Sequence, residues 1–143
     1  MIMKSIVLTL VLSLVASGAA LASGHGGGKE ENEIPVSNIS YFDLAPEIVT
    51  NYTAEGNRVG YVRVKVQIMT DSPAEVEILK YHSAALRDIV ISTLYKKEYN
   101  DVSTLLGRQE ITQECKRKIE DYLLAEEDRK IVREVIFTNF IFQ

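Results

Sequence analysis

Val59-Gly60-Tyr61-Val62-Arg63-Val64-Lys65-Val66-Gln67-Ile68-Met69 is the stretch on which the fold turns. Val62, Val64, Val66 and Ile68 alternate with Tyr61, Arg63, Lys65 and Gln67. Successive side chains of a strand point to opposite faces, so one face meets a core and the other meets solvent or a partner. Upstream, Ala54-Glu55-Gly56-Asn57 supplies a turn, and Tyr41 to Tyr52 (YFDLAPEIVTNY) reads as an extended segment interrupted by Pro46. A hairpin between the two segments is expected. Downstream, Ser72-Pro73-Ala74-Glu75 combines a Ser cap, a Pro at the first helical position and a Glu placed for a capping box. Val76, Leu79, Ser83, Leu86, Val90 and Leu94 then keep helical spacing, which predicts a single helix to about Lys96, with Ile78, His82, Ala85 and Ile89 as a second, half-apolar row.

Farther along, Asn100 to Gly107 reads as a turn or short helix, and a longer helix is expected over Arg108 to Leu124. Its outer face sets Glu114 against Lys118, Lys116 against Glu120 and Arg117 against Asp121 at i, i+4, the pattern of a solvated face. Ala125 to Lys130 is a charged connector, and Ile131 to Gln143 (IVREVIFTNFIFQ) is dense enough in β-branched and aromatic residues to be a central strand. Strand, strand, helix, helix, strand predicts an α+β fold, a small antiparallel or mixed sheet with helices packed on one face.

The N-terminal residues have a different composition. The first 28 of the 143 residues hold five of the eight glycines and Lys4, with no Asp or Glu. From Lys29 onward 15 Lys and Arg face 20 Asp and Glu, a net of −5 once Lys4 is removed from the whole-chain −4, which excludes a strongly basic nucleic-acid binder. Lys4 followed by the apolar run Ser5 to Ala22 has the form of an export segment over residues 1–22. As a helix the run would span roughly 27 Å, just short of the roughly 30 Å hydrocarbon core of a bilayer. Ala20-Leu21-Ala22 fits a cleavage site between Ala22 and Ser23, so two alternatives stand, a cleaved signal peptide or a retained anchor. Both export the chain from residue 23 onward, because the positive charge precedes the apolar run. Residues 23–40, opening SGHGGGKEENEIP, are expected to be a flexible linker to a domain over 41–143.

Motifs for chemistry are missing. The sequence has no H-E-x-x-H, no G-x-S-x-G, no Cys pair and no phosphate-binding glycine loop. His25 lies in the linker and His82 on a helix without a second ligand nearby, so no metal site and no cofactor are expected. Cys115 falls in a helical stripe with Ile111, Ile119 and Tyr122, which predicts burial. Nothing marks a catalytic residue among the carboxylates, and the expected activity is binding or scaffolding. The residues singled out for a partner or self-association surface are Arg63 and Lys65 on the strand's outer face and Arg87 and Asp88 on the helix.

Five segments in order carry a resemblance. Val135-Ile136-Phe137-Thr138-Asn139-Phe140-Ile141-Phe142-Gln143 resembles the ending of the flagellar basal-body FliL family. Tyr41 to Tyr52 resembles that family's aromatic and proline segment, Tyr61 to Ile68 its first clear strand, Tyr81-His82-Ser83-Ala84-Ala85-Leu86-Arg87-Asp88 its helix with a central Arg, and Leu106-Gly107-Arg108 the approach to its long helix. Ala84 stands where the family often has Pro, and Thr112 where it has Arg. The resemblance covers about residues 40–143 and implies a periplasmic domain similar to the stomatin or SPFH fold at the inner membrane. It further implies homo-oligomerisation, partners among flagellar stator and basal-body proteins, support of swimming and swarming, and neither catalysis nor nucleic-acid binding.

Overall fold

The computed structural model describes residues 38–143, so the expected export segment, its cleavage site at Ala22 and Ser23, and the linker up to residue 37 lie outside the described residues. The alternating stretch forms the longest strand. We number the strands β1 (Ser40–Asp43), β2 (Ile48–Ala54), β3 (Arg58–Thr70) and β4 (Val132–Phe142), and the helices α1 (Pro73–Tyr81), α2 (Ser83–Tyr95), α3 (Tyr99–Ser103) and α4 (Leu105–Glu127). Thirteen residues at about 3.4 Å each give β3 a length of roughly 44 Å, enough to serve two short strands end to end on one side. β1 pairs with its C-terminal end and β2 with its N-terminal end, both antiparallel, while β4 pairs antiparallel along the other side.

The β2–β3 hairpin is present as expected. Its turn over Glu55–Asn57 places Gly56 and Asn57 in the left-handed region, at φ 69° and 58°. These two residue types accept that conformation at least cost. In register, Val62 faces Thr50 and Phe142 across the sheet, Val64 faces Ile48 and Phe140, and Ile68 faces Phe42 and Val135. All of the β3 members of these rows are fully buried, and Tyr61, Arg63 and Lys65 between them are exposed. The helices therefore cover one face, and the α+β prediction holds.

The C-terminal strand departs from expectation in its position. β3 is central, and β4 lies at an edge. The sequence of β4 has no clean alternation because two register shifts interrupt it, one beside Lys65/Val66 and one beside Met69/Thr70. Each spends an extra residue, Thr138 and Arg133, and so brings Val132, Val135, Phe137, Phe140 and Phe142 to the inner face. Bulges of this kind also make a long edge less able to pair with a stray strand.

The expected continuous helix to Lys96 is two helices bent at His82, whose φ and ψ are −88° and 5°. Hydrogen bonding is not lost there: the His82 amide donates to Ile78 O at 3.1 Å, and the Leu86 amide donates to His82 O at 3.1 Å. The bend falls where the imidazole is drawn onto the last turns of α4, between Tyr122 and Glu127. It lets α1 follow β1 while Leu86, Val90 and Leu94 of α2 run between β2 and α4 on a twisted sheet. The Ser72 capping box forms as expected, with the Ser72 amide donating to Glu75 Oε2 at 3.2 Å.

The long helix extends beyond its expected bounds at both ends. Thr104 Oγ1 accepts from the Gly107 amide at 3.0 Å and starts α4 at Leu105, and the helix runs through part of the charged connector until Asp128 turns left-handed at φ 53°. Ile111, Cys115, Ile119 and Leu123 form its buried row. Gly60 and Gly107 mark two close approaches. Tyr52 lays its ring over Gly60 and its hydroxyl donates to Gln143 O at 3.2 Å, while a Cβ on Gly107 would sit 2.2 Å from Asp101 O.

A Gly107→Ala substitution should therefore force α3 away from α4 and lower stability by about 1–3 kcal/mol. Urea unfolding measures it, with Gln109→Ala on the exposed side as the control; equal midpoints for the two variants would show that the corner gives way freely.

Candidate functional site: the uncovered sheet face

Among the described residues, nothing covers the face of the sheet opposite the helices. Alternation along β3 sends Val59, Tyr61, Arg63, Lys65, Gln67 and Met69 to it, and the register aligns partners in rows. One row is Val49, Arg63 and Ile141, and the next is Asn51, Tyr61 and Gln143. Val49 and Tyr61 are each 57% exposed and Ile141 44%, a cluster of apolar side chains on three adjacent strands. A recess of about 140 Å³ opens between Val49, Tyr61, Arg63, Ile141 and Gln143.

Arg63 and Lys65 both lie on this face, as the alternation of β3 requires. Both lean toward Glu47 in the β1–β2 loop, at 3.9 Å from Arg63 Nε and 3.3 Å from Lys65 Nζ. Their side chains are more than half exposed, so these ion pairs contribute little to stability. A second recess of about 260 Å³ lies beside them, between Asp43, Leu44, Glu47, Lys65 and Thr138.

Arg87 and Asp88 sit elsewhere. Arg87 reaches from α2 to the β1–β2 loop and donates to Leu44 O at 3.1 Å and to Pro46 O. It holds the loop that carries Glu47, and so acts on the open face at one remove. Asp88 is exposed on α2. The structure thus brings Arg63 and Lys65 together and leaves the two helix residues apart from them.

The helix side holds the ionised clusters. Lys118 and Lys97 donate to the Glu114 carboxylate at 2.6 and 2.5 Å, and together they hold its pKa down at about 2 against an ordinary value of 4.5. Glu114 pairs with Lys118 as the i, i+4 spacing predicts, and Lys116 lies 4.0 Å from Glu120, but among the described residues no Arg117–Asp121 pair forms. The face is also less solvated than expected, because Lys97 folds onto it from the end of α2. His82 is 7% exposed, with Tyr122 Oη 3.0 Å from Nδ1 and Glu127 Oε1 2.7 Å from Nε2. An ionised carboxylate only accepts, so Nε2–H donates to Glu127, and in the neutral ring Nδ1 accepts from the Tyr122 hydroxyl. Cys115 is fully buried as its stripe predicts, and burial pushes its thiol up to about 12, so no nucleophilic thiolate forms near neutral pH. Among the described residues no three His, Cys, Asp or Glu are grouped to hold a metal ion.

Sequence patterning identifies Tyr61 as an outward residue, but Val49 and Ile141 join it only through strand register. Likewise the partners of His82 come from 40 and 45 residues away, beyond any local spacing rule.

Two stability measurements test these contacts. Because the Glu114 pKa is lower folded than unfolded, its contribution is fully present above about pH 4.5 and is lost as pH falls toward about 2. Glu114→Gln should cost about 1–2 kcal/mol at pH 7 and flatten this acid limb; denaturant midpoints taken from pH 7 to pH 2 would contradict the assignment if the wild type and variant run parallel. Arg87→Met should cost about 1–3 kcal/mol by freeing the β1–β2 loop, while Asp88→Asn stays within about 0.5 kcal/mol, and chemical denaturation of the two variants side by side separates a loop clamp from a merely charged surface.

Comparison with curated proteins gives no match to the chain. A family model described as flagellar basal body-associated protein FliL matches residues 41–143, the stretch that forms the strands and helices above. That match covers well over half of the sequence, and the chain belongs to the FliL family of flagellar basal body-associated proteins.

Proposed function

We propose that this chain is a non-enzymatic accessory protein of the bacterial flagellar motor that supports stator function in swimming and swarming. The observation that carries the reading is the family match over residues 41–143, which coincides with one α+β unit whose sheet leaves a face open for partners. In this reading residues 1–22 export the domain and either leave as a signal peptide or stay as an inner-membrane anchor, the linker gives it reach, and the domain works in the periplasm beside the stator as a homo-oligomer. It needs no cofactor. No helix among the described residues is long and apolar enough to cross a membrane.

Deleting the coding region in frame from the bacterium that carries it should shrink swimming and swarming zones, most at high load, and the wild-type gene should restore them. Normal motility in the deletion strain would reject the motor role. Mass spectrometry of the N-terminus, starting at Ser23 or retaining Met1, distinguishes cleavage from anchoring.

A further inference from the structure

We propose that the open sheet face around Arg63 docks a short segment of another protein that presents a carboxylate between apolar side chains. The inference rests on the reading of this chain as a binding component of a larger machine, and adds the place and chemistry of the contact.

Three observations lead to it. First, Val49, Tyr61 and Ile141 come from three different strands, yet lie in adjacent rows and remain about half exposed, with a recess of about 140 Å³ between them. Covering them gives the segment its hydrophobic attraction, and the recess receives one aliphatic side chain. Second, Arg63 stands in the middle of that cluster, in one row with Val49 and Ile141. Its guanidinium makes no hydrogen bond among the described residues, its Nε lies 3.9 Å from Glu47, and Lys65 is nearer to that carboxylate at 3.3 Å. The paired N–H groups of the guanidinium are thus free for a carboxylate, which they hold in a two-pronged geometry that Lys cannot offer. Third, an Arg and a Tyr beside aliphatic residues is the composition of an interface centre, where a few residues carry most of the binding energy.

The surroundings set the direction of the segment. Glu47 and Asp43 lie on the Lys65 side of Arg63, with Asp43 accepting from Gln67 Nε2 at 2.8 Å. They repel an acidic segment from that half of the face and leave the Tyr61 half, where Asn51 and Gln143 provide a polar rim. A basic or neutral segment would leave the guanidinium covered and without a partner, so the face selects against it.

The test uses the full chain, produced in its own bacterium with a photo-crosslinking residue at Val49 or Ile141 and, as control, at Gln113 on the exposed side of α4. The expected result is an adduct from both face positions and none from Gln113, with mass spectrometry mapping it to a segment of a different protein that has an Asp or Glu within a few residues of the link. Arg63→Glu should lower its yield at least about fivefold, Arg63→Lys should lower it less, and Asp88→Asn should leave it unchanged. Circular dichroism on each purified variant verifies folding. Adducts between two copies of this chain, adducts that ignore the Arg63 change, or none above the Gln113 level each overturn the proposal. A motility defect on deletion with no face-specific adduct rejects the docking face alone; an Arg63-dependent adduct in the producing strain together with normal motility of the deletion strain rejects the motor reading alone.

Discussion

The pairing of β3 on both of its sides is the constraint from which the rest of the molecule derives. Its inner residues, Val62, Val64, Val66 and Ile68, are buried only because β1 and β2 close one flank, β4 closes the other, and the helices cover the face they share. A slip of one residue in any pairing would turn Arg63 and Lys65 into the core and the valines out to water. The same rule creates the open face. Alternation that fills a core on one side must leave Tyr61, Arg63 and Lys65 on the other, so fold and candidate site are two results of one pattern.

Electrostatics is divided between the two sides of the sheet. On the open face Arg63 and Lys65 share one carboxylate loosely and in water, where such contacts are weak. Over the helices Glu114 is held at short distance by two ammonium groups, and His82 has a partner on each ring nitrogen. Charges that brace the structure are thus tied up among α2 and α4, and charges available to other molecules remain on the side where the backbone is held rigidly by the sheet. Arg87 connects the two, since from α2 it fixes the loop that carries Glu47.

Sequence signals suffice where local chemistry decides. The β3 alternation, the turn at Gly56, the Ser72 cap and the Cys115 stripe each depend on residues within one or two turns of one another. They fail where distant residues decide. The bend at His82 is set by Tyr122 and Glu127, the early start of α4 by a Thr cap that no apolar period marks, and the edge position of β4 by a β3 already paired on its other flank. The two extra residues in β4 also hide its inner row, because Val132 and Val135 are three apart, as are Phe137 and Phe140. Of the candidate site, Arg63 and Lys65 are legible from phase alone, whereas Val49 and Ile141 join them only through register.

The placement of β4 also bears on when the domain can fold. β4 comes after every described helix, yet it pairs with β3 from Val62 to Thr70 and, through the Tyr52 hydroxyl bound to Gln143 O, the chain beyond it ties to β2 as well. Until residues 132–143 have been made, Val62, Val64 and Val66 lack the neighbours that seal them. A nascent chain that has not yet delivered this strand stays loose, and the sheet closes only once it arrives.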